Sequence, residues 1–375
     1  MWSQQPFKAL FIIFFVIKAP AHLMLLAILY LFKPFRPQPE RPLRHNMTVA
    51  LSRMACQLSA KVHLSDLFND DLNSAMERHV RVEPLEPDSF TGVAATDKPV
   101  AATGAGVKKP PLDAVWFPSL PPTVKAELKE ERLVLHFPGG AFAMRFGHKR
   151  FGEGVHQILA QEMGATRTLW AQFRVRARFP DPLRDALAFY THVLSLGYGA
   201  KQVVLSGDSA GGNVALALLR YIEGTQSQQT PLPAPGGAVI FSPWVHISPR
   251  AGSDFDSQPK SRADFLVGSI LQWGAEEYRP PGELSDEVEG YMSPLFHPFR
   301  LPVPLFIQDG LEEGFHADIE AFAGKMMQVP GNRVQLHSIP LADHDIVLNY
   351  RQNGMAEQMS EAVRRAQNFL WEPEP

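Results

Sequence analysis

The sequence predicts an α/β fold: a mostly parallel sheet flanked by helices and carrying a helical cap. Three observations predict it. Short apolar runs rich in β-branched and aromatic residues alternate with helix-forming stretches, the rhythm of a parallel sheet covered on both faces. The stretch Gln202-Val203-Val204-Leu205-Ser206-Gly207-Asp208-Ser209-Ala210-Gly211-Gly212-Asn213 passes from a strand through a glycine-bracketed turn into the helical composition of residues 214–219. A chain of 375 residues with 45% hydrophobic content can bury one large core, and α/β proteins often keep a single domain at that size.

Residues 9–32 are largely apolar in two runs, 9–17 and 23–32, separated by Lys18-Ala19-Pro20-Ala21-His22. Together they suit a bilayer span of ~20 residues; each alone is too short. Lys18 near the centre costs ~2.5–3.5 kcal/mol, which the surrounding Leu, Ile and Phe can offset, so spanning and lying in the interface both stay open. Lys33-Pro34-Phe35-Arg36-Pro37 follows instead of a small-residue cleavage site, and the segment reads as a retained anchor. Lys33, Arg36, Arg41 and Arg44 lie after it and only Lys8 before it, which by the positive-inside rule puts the remainder on the cytoplasmic face. Asn46-Met47-Thr48, a glycosylation sequon, points the other way.

Residues 34–42 read as a stiff, proline-rich linker leading away from the membrane, and 49–58 and 67–79 as helices. Strand-like pieces follow at 80–84 and 115–118, with a flexible Gly, Ala and Lys stretch between them. Further strands are expected at 133–137, 169–173, 202–206, 238–241, 303–307 and 334–339, with an amphipathic helix at 185–196. Residues from Trp244 to about 300 hold Phe265, Trp273, Tyr278, Tyr291 and Phe296 without a sheet strand, as lids and binding elements do. The expected division is 1–36 anchor and start of linker, 37–79 linker and helices, and 80–375 main domain with an insertion at about 244–300.

A formal net charge of −3 without a basic block leaves no nucleic-acid footprint, so the partner is expected to be a small molecule. Cys56 is the only cysteine, which excludes disulfides within the chain and cysteine-based metal clusters; no H-E-x-x-H or similar metal spacing occurs.

G-x-S-x-G between a strand and a helix is a nucleophile elbow: small Gly207 and Gly211 let the two elements pack closely enough to thrust the Ser209 hydroxyl out. Gly207-Asp208-Ser209-Ala210-Gly211-Gly212 resembles the G-D-S-A-G-G elbow of the hormone-sensitive-lipase-like branch of the α/β-hydrolase superfamily. The resemblance covers about residues 80–375, and Phe173-Arg174-Val175 and Pro182-Leu183-Arg184-Asp185-Ala186-Leu187 match lesser blocks of that family. It implies an α/β-hydrolase fold, amino-terminal helices and cap helices over the site, and hydrolysis of carboxylic esters without cofactor or metal. Membrane-anchored relatives with a P-G-G-A loop look like fungal proteins, some serving secondary-metabolite biosynthesis.

An activated serine needs a base and a carboxylate orienting the base, and α/β-hydrolases supply them in the order serine, acid, histidine. Of the five histidines after Ser209, His337 falls inside a strand, His316 near a helix start, and His246 and His297 in or beside the insertion. His344 occupies the loop after the last strand and resembles the family's histidine segment. Asp309, Glu312 and Glu313 compete for the acid, and alignment of Asp318-Ile319 with the family pattern favours Glu313, where Asp is the commoner occupant. Pro138-Gly139-Gly140-Ala141 resembles the family's H-G-G-G loop and implies the N–H groups of Gly139, Gly140 and Ala210 as oxyanion donors. The same three catalytic groups would serve an acyltransferase, lactonase or thioesterase, and a binding protein that has lost turnover is the reading from another class.

Overall fold

In the computed structural model, which describes residues 2–95 and 109–371, the apolar runs line up as one eight-stranded sheet. Its strands are β1 (His79–Val82), β2 (Leu112–Phe117), β3 (Leu133–Phe137), β4 (Arg167–Ala171), β5 (Val203–Asp208), β6 (Gly237–Phe241), β7 (Leu305–Gly310) and β8 (Val334–Ile339). They lie in the order β1-β2-β4-β3-β5-β6-β7-β8; β2 is antiparallel to both neighbours and every other adjacent pair is parallel. The strand order reverses at β3, which therefore has β4 on one side and β5 on the other. Beyond the carboxyl ends of β3 and β5, where Phe137 pairs with Gly207, an open α/β sheet presents its ligand site.

Side chains alternate across the sheet with the period of two that a strand dictates. Val203 and Leu205 enter one core and Val204 the other; Leu133, Leu135 and Phe137 oppose Val134 in the same way. The helices are α1 (Phe7–Leu29), α2 (Leu43–Val62), α3 (Glu153–Met163), α4 (Asp181–Leu196), α5 (Ser209–Thr225), α6 (Ala251–Asp256), α7 (Gly268–Tyr278), α8 (Asp286–Met292), α9 (His316–Met327), α10 (Ile346–Asn353) and α11 (Ala356–Trp371). α4, α5 and α9 cover the first face, joined by α7 of the insertion, while α3 and α11 cover the second. Helix propensity does not hold α5, whose Gly211 and Gly212 each cost ~1 kcal/mol against alanine. Burial of Val214, Leu216, Leu218, Leu219 and Ile222, at ~1.5–3 kcal/mol for each large side chain, does.

Two expectations need correction. Residues 67–79 are not a helix: Leu72–Ala75 make a 3₁₀ turn and the rest is extended or looped. Asp71 caps that short turn by accepting the Asn73 N–H at 3.0 Å, and Asp70 accepts the N–H groups of Lys149 and Arg150 at 2.6 and 3.1 Å, which a local helix would not offer it. The proline-rich linker folds back on the protein instead of leading away: Arg36 Nε donates to Tyr30 O at 2.7 Å and Arg41 is fully buried. The two apolar runs are one helix, α1, which continues through Pro20 at the loss of one backbone hydrogen bond. Most of the Gly, Ala and Lys stretch between β1 and β2 lies outside the described residues.

α1 runs antiparallel along α2, with Trp2 against Lys61 and Leu26 and Tyr30 beside Val49 and Ala50. Phe11, Phe15, Ala19, His22, Leu26 and Leu29 are half-buried at helical spacing; the opposite face, including Ile13, Phe14, Ile17, Leu25 and Ile28, is more than half exposed. Asn46 is buried in α2, its amide donating to the carbonyls of Gln38, Arg41 and Pro42 at 3.1–3.3 Å, so the folded chain does not present the sequon for glycosylation.

Candidate active site

The turn from β5 into α5 holds Ser209 at φ 51°, a left-handed value that a non-glycine residue adopts only under constraint. Gly211 supplies part of that constraint, since a Cβ there would overlap the Phe137 carbonyl at the end of β3. Asn213, one turn further on, donates to the carbonyls of Trp244 and Met292 at 2.9 and 2.8 Å and ties the elbow helix to the insertion.

Ser209 Oγ lies 2.9 Å from His344 Nε2, and His344 Nδ1 lies 3.2 Å from Glu313 Oε2, all three side chains being buried. With a carboxylate facing Nδ1 the proton belongs there, which leaves Nε2 to accept the serine O–H. The acid and histidine loops are stitched by the N–H of Leu311 on Ile339 O at 3.0 Å and that of Glu312 on Ala342 O at 2.9 Å. Of the competing carboxylates, Asp309 sits inside β7 and binds His316 Nδ1 at 2.7 Å, while Glu312 is half-exposed. His337 stays in β8, and His246 faces Asp318 at 3.5 Å. Aromatic rings of the insertion and the acid loop close around the imidazole: Phe265 and Phe315 lie 5.7 and 5.1 Å away between centroids.

Two groups that the sequence did not single out touch this triangle. Asp345 Oδ2 lies 3.2 Å from His344 Nε2, beside the serine, and its own N–H donates to Ser242 Oγ at 3.3 Å. Buried Asp264 accepts the N–H of Gly314 at 2.8 Å and that of His344 at 3.4 Å, so one carboxylate from the insertion spans the acid and histidine loops. Burial works against a charged imidazole, yet Asp345 and Glu313 outweigh it and hold the His344 pKa well above its ordinary value. Burial pushes Glu313 up to about 8 and Asp345 up to about 7, His344 opposing both shifts. The two facing carboxylates make the histidine more basic.

Gly139 differs from expectation, because its N–H already donates to Asp208 Oδ2 at 2.9 Å. Asp208 Oδ1 is 2.8 Å from His136 Nε2, and His136 Nδ1 is 3.0 Å from Ser206 Oγ, all fully buried. The chain Ser206–His136–Asp208–Gly139 thus pins the loop after β3 to the elbow, a task for which Pro138 has no side-chain polar group. Gly140 at φ 120° and Ala141 at φ 51° carry the loop past Ser209, and Tyr278 stacks on the adjacent Phe142 with ring centroids 3.7 Å apart. No hydrogen-bond partner is found among the described residues for the N–H of Gly140, Ala141 or Ala210. A cavity of about 330 Å³ between α1, α2 and Arg262 includes none of these groups. Among the described residues no cluster of His, Cys, Asp or Glu suits a metal ion.

A strained serine at a strand–helix elbow, bonded to a histidine that meets a carboxylate, defines the α/β-hydrolase class of site. The chain belongs to the alpha/beta hydrolase fold family, in its hormone-sensitive-lipase-like branch: the family profile matches residues 134–348 of the 375. It is 31% identical over 204 residues to an acetyl-hydrolase of Streptomyces hygroscopicus, covering 53% of this chain and 62% of that protein. It is also 26% identical over 215 residues to an esterase of Acinetobacter venetianus, covering 55% and 64%. The matched stretch therefore spans less than two thirds of either relative. An esterase from the bacterial hormone-sensitive lipase family superposes with TM-score 0.58 over 88% of this chain and 99% of its own, at 19% identity, a likeness of fold.

A base flanked by two carboxylates sets the pH profile. Any turnover that uses His344 as base should rise as the imidazole loses its proton, with the limb of kcat/KM displaced above the usual histidine value of about 6.5. Asp345→Asn removes a negative charge beside Nε2, lowers the imidazole pKa and should move the limb to lower pH; Asn tolerates the φ of 49° at this position. An unmoved limb would show that Asp345 does not act on the base. His136→Leu strands the buried Asp208 carboxylate and should lower stability by ~3–5 kcal/mol in denaturant melts.

Proposed function

We propose that the protein is a serine hydrolase of small-molecule carboxylic esters working through Ser209, His344 and Glu313. The observation that carries this reading is the unbroken Ser209–His344–Glu313 hydrogen-bond path at 2.9 and 3.2 Å, placed beyond the carboxyl ends of β3 and β5. Ser209 Oγ attacks the ester carbonyl while its proton passes to His344 Nε2, and Glu313 stabilises the imidazolium at Nδ1. The N–H groups of Gly140 and Ala210, with Ala141 beside them, meet the oxyanion; Gly139 holds their loop to Asp208. Nε2 then returns the proton to the leaving alcohol, and water repeats the sequence to release the acid. Short acyl groups fit best: Ser209 is only 3% exposed, and one relative at 31% identity is an acetyl-hydrolase.

The protein further associates with a membrane through α1. At ~1.5 Å per residue its 23 residues extend ~35 Å, long enough to cross, and it is the one described helix apolar enough to do so. Because one face is held along α2, which carries Arg44, Arg53 and Lys61, a seat in the membrane interface with the outer face among acyl chains suits this geometry better than a free-standing span. In the folded chain the Asn46 amide is buried, which weighs against a glycan there and agrees with the cytoplasmic placement expected from the flanking charges.

A fluorophosphonate should label the wild-type chain in detergent and p-nitrophenyl acetate should be turned over, and Ser209→Ala should abolish the label. Failure of wild type on both counts sinks the hydrolase reading. Glu313→Gln should lower kcat by about 10⁴-fold with the fold intact, whereas Glu312→Gln leaves it nearly unchanged. If Asp309→Asn were the variant that stops turnover, the acid would be misassigned. Deleting residues 2–32 should move the protein from the membrane pellet to the soluble fraction with ester hydrolysis retained; full-length protein found soluble without detergent would overturn the anchor.

A further inference from the structure

His344 sits in a loop that does not hold its own shape. Leu341 and Asp345, on either side of it, both have left-handed backbones, at φ 60° and 49°, and such residues persist only where their surroundings over-determine them. Much of what surrounds them comes from some 300 residues earlier in the chain, directly after α1. Arg41 Nε donates to Leu341 O at 2.7 Å, and its Nη1 donates to Ala263 O. His45 Nε2 lies 2.7 Å from Asp343 Oδ1, next to the catalytic histidine, and Asn353 Nδ2 donates to the same oxygen at 3.2 Å. Arg53 Nη1 donates to the carbonyls of Ser261, Asp264 and Leu266 at 2.8 Å each, fixing the strip from which Asp264 reaches the N–H groups of His344 and Gly314.

From this geometry we infer that Arg41 and His45 are positioning residues for His344, so that the segment from the end of the apolar helix through the first turn of α2 is part of the catalytic machinery. The inference rests on the Ser209–His344–Glu313 reading above. Arg41 is fully buried and His45 is 1% exposed, and burying a guanidinium is expensive unless its bonds are well made. An apolar side chain would plug the same space without that expense. Arg41 instead spans two backbone carbonyls with one planar group, as lysine cannot, and so fixes the spacing between the histidine loop and the insertion. The carboxylates of Asp343, Asp264 and Glu312 surround its charge. His45 holds Asp343, whose backbone carries His344, and thereby limits how far the imidazole can swing from Ser209. Displacing a reacting group by an ångström costs on the order of 100-fold in rate, which is the size of effect such a clamp protects.

The test is made on the full chain in detergent with His45→Phe, His45→Gln, Arg41→Met and Arg41→Lys. Each is scored for the rate of fluorophosphonate labelling and for kcat and KM on p-nitrophenyl acetate, per folded molecule measured by near-UV circular dichroism. His45→Phe, which cannot bond Asp343, should lower kcat and the labelling rate about 10- to 100-fold with KM little changed. His45→Gln, which keeps a donor for Asp343, should recover most of that loss. Arg41→Met should resemble His45→Phe, and Arg41→Lys should fall between it and wild type. A low-field proton signal from the His344 Nδ1–Glu313 bond should weaken in His45→Phe and return in His45→Gln. If Arg41→Met fails to fold, the two His45 variants decide alone. Folded His45→Phe labelling at the wild-type rate overturns the inference, as does a loss that Gln does not relieve. Wild type that takes no label would overturn the triad reading as well and so identifies that failure separately.

Discussion

Six carboxylates, Asp208, Asp264, Asp309, Glu313, Asp343 and Asp345, are buried at one end of the sheet, none more than 4% exposed. A buried carboxylate without a partner is among the most destabilising features a protein can hold, so each of these dictates a neighbour. His136 and the Gly139 N–H answer Asp208; the N–H groups of Gly314 and Leu266 answer Asp264; His316 answers Asp309; His45 and Asn353 answer Asp343. Glu313 and Asp345 both fall to His344. The partners come from the amino-terminal helix pair, the β3 strand, the insertion and the last helices. The site is therefore assembled by the whole fold, and few of its loops could be exchanged one at a time.

The same constraint explains why strain can persist at Ser209. A left-handed serine costs ~1–3 kcal/mol. The packing of α5 under β3 and β6 fixes its backbone on one side, and Trp244 N–H on Ser209 O at 3.0 Å fixes it on the other. On the β3 side, Asp208 accepts a bond from the loop that follows that strand, so the residue before the nucleophile also sets where Gly140 lies. The elbow and the loop after β3 are joined through this one carboxylate. Asp345 adds a competing element, since a protonated carboxyl beside Nε2 can donate to the atom that faces the Ser209 hydroxyl.

What the sequence disclosed and what it withheld divide along the range of the interactions. The strands 133–137 and 334–339 appear with the boundaries that their apolar runs suggest, and the elbow is legible because glycine spacing records a local steric need. Residue order separated His344 from four other histidines, and a family pattern rather than any local property favoured Glu313 over Asp309. Residues 67–79 went astray because Asp70 and Asp71 bond backbone groups, two of them about 80 positions away, which no window of sequence reports. Asp345 stood in plain view next to His344, but adjacency in a strand-following loop says nothing of whether the carboxylate turns toward the ring. Gly139 looked like a donor because the loop pattern names residues, while its N–H was committed to a partner 69 residues away.

The amino-terminal segment changes meaning most between sequence and structure. As composition it is an anchor followed by a spacer, two parts that could be removed without touching chemistry. In the fold the spacer is absent: within twelve residues of the end of α1, Arg41 is buried against the histidine loop, and α2 packs beneath the insertion that lines the site. The apolar helix α1 and a histidine loop held by the residues that follow it are thus mechanically continuous. Force or displacement applied to α1 reaches Leu341 through Tyr30, Arg36 and Arg41, a path of side chain to carbonyl bonds at 2.7–3.0 Å with no flexible tether in it. Such continuity ties the orientation of Ser209 to that of α1 itself, as a flexible tether would not.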